Sequence, residues 1–156
     1  KQRVCAASKA YGLHAIDNVY LRLPRKGASP EDAAANERGI RQKNMGAAAL
    51  GMDGTWVIHP SQAAISNECY TPSKDEIDNA KRVIELYHEQ GGGAMFDHHR
   101  GEMVDEATAK MALGDLSKGV QAGLVEAAYL ADKAARSAKI TGYDILKAGR
   151  EVRAGA

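Results

Sequence analysis

The side chains that could carry acid–base or metal chemistry gather in a few places. Gly101-Glu-Met-Val-Asp105-Glu106 sets a carboxylate where a short extended segment meets a helix. An aspartate there is a candidate for acid–base work, but the same position is first that of an ordinary N-cap. Asp17 lies in one apolar run, and Ile58-His59-Pro60-Ser61-Gln62 closes another. His59 has no partner at catalytic spacing, so its bland reading is a strand-end histidine bonded to backbone. Asp17 likewise reads first as a satisfied turn carboxylate. His98 and His99 stand side by side at a hairpin tip, and adjacent strand side chains diverge, which favours solvated rings over a shared metal. The two cysteines, Cys5 and Cys69, are far apart and outside any CxxC pair. That argues against a zinc site and a disulfide framework, and for a reducing compartment.

The elements that must position these groups are legible as patterns. Val4, Ala7, Ala10 and Tyr11 recur at helical spacing, and Gly12 stands where a left-handed residue closes a helix. This helix opens at Lys1 without a start signal, which leads to the expectation of upstream sequence. His14–Leu21 reads as a strand with Ile16, Val19, Tyr20 and Leu21 buried. Residues 22–29 form a loop. Ser29, Pro30 and Asp32 form a helix start, and that helix is predicted to run to about Leu50 and stop at Gly51. Gly54–His59 is a nearly continuous apolar strand of the kind buried on both faces, ended by Pro60. A short helix from Ser61 to about Glu68 follows.

Ser73-Lys-Asp-Glu76 is a capping box. It opens a helix with Ile77, Ala80, Val83, Ile84 and Tyr87 on one face. Gly91–Gly93 breaks it. A hairpin is predicted from Ala94–Asp97 and Glu102–Val104, turning at His98–Gly101. Helices are predicted at about 106–116, about 117–130 and near 143–153. The alternation over the first 90 residues predicts an α/β fold with parallel strands and helical crossovers. Such folds place sites at the C-terminal ends of strands, here around Asp17 and residues 58–62. Two strands do not make a stable sheet alone, so further strands are expected upstream or from another chain.

The totals narrow the function classes. With 21 Lys and Arg against 20 Asp and Glu in 156 residues, the formal charge is +1. That gives no electrostatic case for nucleic acid or for a membrane surface. No apolar run approaches the roughly 20 residues of a membrane span, and no signal peptide is visible. A cytoplasmic protein is the expectation.

Four segments together resemble one family. They are Ala15-Ile-Asp-Asn-Val-Tyr20, Leu50-Gly-Met-Asp-Gly-Thr-Trp-Val-Ile-His-Pro-Ser-Gln62, Tyr70-Thr-Pro-Ser-Lys-Asp-Glu76 and Gly101-Glu-Met-Val-Asp105. Their order and spacing resemble the C-terminal part of the citrate lyase β-subunit/malyl-CoA lyase family, which includes citramalyl-CoA lyases and malyl-CoA thioesterases. The likeness spans about residues 3–112; residues 113–156 carry none of it. Any one segment would be weak evidence; the set is specific.

The resemblance implies a TIM (β/α)8 barrel of which this chain holds the last two strands and their helices. Ala15–Leu21 would be strand seven and Thr55–His59 strand eight. Residues 1–90 would be the end of the barrel and 91–156 a helix-rich C-terminal lid. In the family the lid closes over the active site of a neighbouring subunit in a trimer or hexamer. Its aspartate, here Asp105, is the catalytic acid/base. The implied chemistry is Mg²⁺-dependent cleavage of a 3-hydroxyacyl-CoA into a shorter acyl-CoA and a small 2-oxo acid. Mg²⁺ held by carboxylates would orient and polarise the partner carbonyl. The metal-binding Glu and Asp and a substrate-holding Arg would lie upstream, so no metal ligand is expected in this chain. Asp17, Ile58, His59 and Pro60 would line the CoA-binding mouth. Two alternatives stay open. One is a malyl-CoA thioesterase on the same scaffold. The other is a non-catalytic assembly fragment whose tail, with Val120, Leu124, Ala127, Ala128 and Leu130, packs on a partner helix.

Overall fold

Helices begin where a side chain meets the unpaired amides of the first turn. Ser29 Oγ accepts from the Asp32 amide at 3.1 Å ahead of α2 (Pro30–Ala49), with Pro30 in the first turn where its missing N–H costs nothing. Ser73 and Glu76 close a full capping box ahead of α4 (Lys74–Glu89). The computed structural model describes residues 1–23 and 25–144. Within it the chain forms two compact units, one over Lys1–Thr71 and one from Pro72 onward.

The first unit holds α1 (Gln2–Ala10), β1 (Ile16–Asp17), α2, β2 (Gly54–Thr55) and α3 (Pro60–Tyr70). Gly12, at φ 61°, turns the chain out of α1. β1 and β2 pair in parallel, Ile16 opposite Gly54 and Asp17 opposite Thr55. The ladder is lengthened at both ends by Asp53 N donating to Ala15 O at 2.8 Å and Trp56 N donating to Asp17 O at 3.1 Å. A small core of Cys5, Ala15, Ala47 and Met52, with Tyr70 against it, holds the strands to their helices.

The burial of these strands corrects the sequence reading. Ala15 and Asp17 point inward, whereas Ile16 and Leu21 are exposed. The alternation is one residue out of step with the expected one, and a step of one exchanges the two faces of a strand. The small Ala15 allows the close approach to Cys5 and Ala47. β2 is also shorter than expected and is not buried on both faces: Trp56, Val57 and Ile58 are all exposed.

The second unit contains α4, the antiparallel hairpin β3 (Met95–Asp97) and β4 (Glu102–Val104), α5 (Glu106–Gln121) and α6 (Ala127–Thr141). Ile77, Ala80, Val83, Ile84 and Tyr87 are all buried, as the spacing predicts, against Val104, Ala109, Leu113 and Leu116. The glycines 91–93 all take positive φ and end the connection out of α4. α5 runs unbroken through the position where two helices were expected to meet. It stops at the Gly123 turn, and α6 starts later. Gly114 and Gly119 lie inside α5 despite their weak helix preference. At Gly119 there is room for no more: an added Cβ would lie 2.6 Å from Ile77 and 2.8 Å from Val125. Leu124, Ala127 and Ala128 are exposed, while Val120 and Leu130 pack against the unit's own core. Because α4 packs with α5 and α6, the compact units divide at Thr71/Pro72 rather than at Gly91–Gly93. The helix expected near 143–153 lies outside the described residues from 145 onward.

The register of α5 yields a direct check. Leu113→Ala, at a fully buried site, is expected to destabilise the second unit by about 2–5 kcal/mol. Met111→Ala, on the exposed face, is expected to stay within about 0.5 kcal/mol. Urea denaturation of both variants reads the difference, and equal costs would mean the helix faces are wrongly assigned.

Candidate functional site

Where β1 and β2 stop pairing, side chains from α2 and α3 take over their backbone groups. Lys43, on α2, donates to the Asn18 carbonyl, to Thr55 Oγ1 at 2.6 Å and to the Asp17 carboxylate at 3.2 Å. Thr55 Oγ1 in turn donates to the Asn18 carbonyl at 2.8 Å. Gln62, on α3 and 1% exposed, spans the two loops. Its Nε2 donates to Tyr20 O at 2.8 Å and its Oε1 accepts from Ile58 N at 3.1 Å. Behind these groups Asn44 donates to Ser66 Oγ at 3.0 Å in a buried pair. Tyr20 lies across α2 at Gly39, where an added Cβ would meet its hydroxyl at 2.0 Å.

Asp17 is 3% exposed, and Lys1 meets at 2.8 Å the same Oδ2 that Lys43 approaches. Burial by itself would raise its pKa, but the bonds from Lys1, the Asn18 amide and Lys43 outweigh it and hold the carboxyl below its ordinary range. Burial, together with the charges of Asp17 and Cys69, pushes the Tyr70 phenol up to about 12. Asp17 is therefore an ionised, saturated anchor beneath the strand ends. Ile58, His59 and Pro60 are exposed at the surface above them. His59 caps α3: its Nδ1 accepts from Ser61 N at 3.2 Å and lies 2.8 Å from Ser61 Oγ. The histidine thus satisfies backbone, though at a helix start rather than a strand end.

Asp105 belongs to the second unit. It stands between β4 and α5, half-buried, and its Oδ1 accepts from the Thr108 amide at 2.9 Å. Thr108 Oγ1 accepts from the Asp105 amide at 2.7 Å, completing a reciprocal cap. The Thr108 amide is the main cause of a pKa held below the usual carboxylate range. Asp105 is thus ionised at neutral pH and braced by its own helix. The hairpin before it is braced by Asp97, which is buried, pairs with Arg82 and also accepts from the His99 amide at 2.9 Å. His98 and His99 are exposed, and the His98 ring meets Phe96 edge-on at 5.1 Å. Among the described residues no group of three or more His, Cys, Asp or Glu is placed to hold a metal ion, and no helix is long and apolar enough to cross a membrane.

The side chains that sequence reasoning passed over are Lys43, Thr55 and Gln62. Gln62 stood inside a quoted motif, but nothing in its spacing tells a buried bridge from a surface amide. Lys43 reads as one more solvated helix residue.

Comparison with known proteins decides the family. No family model matches the chain. It is 35% identical over 114 residues to mitochondrial citramalyl-CoA lyase of Mus musculus, covering 72% of this chain and 30% of that protein. It is 30% identical over 112 residues to the L-malyl-CoA/β-methylmalyl-CoA lyase of Rhodobacter capsulatus, 70% of this chain and 31% of the relative. The chain belongs to the citrate lyase β-subunit/malyl-CoA lyase family. It spans about 30% of the length of these curated relatives. Among solved structures, CitE from Mycobacterium tuberculosis in complex with magnesium, acetoacetate and coenzyme A matches with a TM-score of 0.57. That match has 29% identity and covers 72% of this chain and 37% of that one. A citrate lyase from Burkholderia xenovorans LB400 matches with a TM-score of 0.63 over 85% of this chain and 37% of its own; at 19% identity it speaks to the fold alone. The described residues form a helix-rich α/β arrangement, a parallel pair flanked by helices.

The Asp17 anchor sets an acid limit. A depressed carboxyl contributes stability that is complete above the unfolded value and is lost as pH falls through the folded one. The loss is therefore expected below pH 3.8, the ordinary carboxylate value. Asp17→Asn, which leaves Lys43 short of its counter-charge, is expected to cost about 3 kcal/mol at pH 7. The cost should shrink as the wild type approaches the acid limit. Chemical denaturation at a series of pH values reads this, and a cost that does not change with pH would refute the charge anchor.

Proposed function

We propose that the protein carrying this chain is a Mg²⁺-dependent acyl-CoA carbon–carbon lyase. It cleaves a 3-hydroxyacyl-CoA such as malyl-CoA, β-methylmalyl-CoA or citramalyl-CoA into acetyl- or propionyl-CoA and glyoxylate or pyruvate. The observation that carries the reading is that curated relatives of most of this chain are named as lyases of citramalyl-, malyl- and β-methylmalyl-CoA. The solved relative with magnesium, acetoacetate and coenzyme A supports the same ligand class. The described residues supply no ligand set that fits a magnesium ion. Its ligands would lie outside the described residues.

On this reading the two strands with their helices are the end of a TIM barrel, and the hairpin and α5 belong to the C-terminal lid. The lid acts on a neighbouring subunit of a homotrimer or homohexamer. The acyl-CoA lies over the strand ends, with Ile58, His59 and Pro60 against it and Asp17 fixing the floor beneath. In cleavage the bond between the α- and β-carbons breaks. Its electron pair passes into the thioester as an enolate, while the β-hydroxyl loses its proton and becomes the carbonyl of the 2-oxo acid. Asp105 delivers a proton to the α-carbon, and the proton lost by the hydroxyl balances it. In the reverse direction the Asp105 carboxylate removes that α-proton. The Thr108 cap aims the carboxylate and also lowers its basicity, so Asp105 acts best as an acid once it is loaded with a proton.

Asp105→Asn retains an oxygen for the Thr108 amide, so melting should shift little while turnover of malyl-CoA by the full-length protein falls about 10²-fold or more. Turnover within a few-fold of wild type would remove Asp105 from the reaction. Product analysis separates the chemistries: glyoxylate or pyruvate marks a lyase, and free malate with CoA marks a thioesterase.

A further inference from the structure

A parallel strand pair continues for as long as each strand finds the other's N–H and C=O groups. Here it ends after Trp56 N meets Asp17 O. Beyond that point on each side the backbones are bonded to Gln62 instead, Tyr20 O on one side and Ile58 N on the other. A single carboxamide thus stands between the strand ends as an inserted rung, donating to one strand and accepting from the other. It holds them a side chain's width apart. The crevice behind it, lined by Tyr20, Thr55, Trp56 and Val57, is too narrow to admit a water molecule. With Gln62 buried and both its polar atoms engaged, Tyr20 and Ile58 have fixed positions relative to each other. No other residue type offers a neutral donor and acceptor on one stem of this length except a protonated glutamic acid.

We infer that Gln62 is a positioning residue for the acyl-CoA substrate. It does not touch the ligand. It sets the spacing between the residue 18–20 segment and the Ile58–Pro60 segment against which the thioester's CoA arm lies. This inference rests on the lyase reading above. Its effect falls on substrate binding rather than on the chemical step, because Asp105 is not among its partners.

The test uses the full-length protein, with malyl-CoA as probe and two substitutions. Gln62→Met keeps the volume and removes both bonds. Gln62→Glu keeps the acceptor for Ile58 N but at neutral pH sets a carboxylate against the Tyr20 carbonyl. In Gln62→Met the Ile58 amide should exchange with solvent about tenfold faster, and KM for malyl-CoA should rise about tenfold with kcat within threefold. In Gln62→Glu the Ile58 amide should stay protected at neutral pH while KM is raised. As pH falls through the introduced carboxyl's titration, the protonated acid regains the donor to Tyr20 O and the KM deficit should close. The wild type and Gln62→Met should show no such pH-dependent recovery. A purely structural Gln62 would lower the melting temperature without producing that pH-dependent recovery, and this result would overturn the inference. An unchanged KM in both variants, or a kcat that falls by as much as KM rises, would overturn it too. If the wild type itself turns over no acyl-CoA thioester, the lyase reading fails first and the positioning role fails with it. If Gln62→Met does not fold, the pH response of Gln62→Glu still decides.

Discussion

The constraint on which the first unit depends is that every backbone N–H and C=O removed from water must be paired. β1 and β2 pair directly for only two residues each. Beyond that the backbones diverge, and the unmet groups are taken by side chains reaching from the helices: Lys43 and Thr55 at Asn18, Gln62 at Tyr20 and Ile58. The strand ends are therefore an assembly of two backbones and three side chains, and the helices cannot move without disturbing the surface above.

Charge reinforces the same point. Asp17 is the buried end of a network that includes Lys1 and Lys43, so α1 and α2 are both tied to β1. A second carboxylate, Asp53, accepts from the Ala15 amide at 2.8 Å and pairs with Lys9. Burial opposes its ionisation, and the Lys9 and Ala15 bonds outweigh that and keep it ionised. Both aspartates spend their charge on holding the strands in place. The surface residues around Ile58–Pro60 remain open, and that division of labour suits a site in which rigid groups below present a contact surface above.

The second unit applies another device. Asp105 is at once the cap of α5 and the group to which the family resemblance gives the proton transfer. A cap requires an ionised or hydrogen-bond-accepting side chain at a fixed position, and a proton carrier requires a carboxyl of fixed aim. The reciprocal bonds with Thr108 serve both requirements. The hairpin that delivers it is stiffened from below by the Asp97–Arg82 pair, so the loop before Asp105 is anchored to α4.

The sequence by itself determined the elements whose signals are local. These are the caps at Ser29, Ser73 and Asp105, the buried face of α4 and the hairpin at 94–104. Each rests on side chains that meet their own backbone or on spacing along one element. Four short segments were also enough to name the family, because their order and spacing survive as text. Which face of β1 is buried was decided only by tertiary structure, since alternation specifies two faces and packing against Cys5 and Ala47 chose Ala15 over Ile16. The length of α5 was decided the same way, with Gly119 fitted closely against Ile77 of α4, a contact that no short window along the chain contains. Gln62 is the clearest case. Its partners lie 42 and 4 residues away, and an amide becomes a bridge only when two strands and a helix bring a carbonyl and an amide to opposite sides of it.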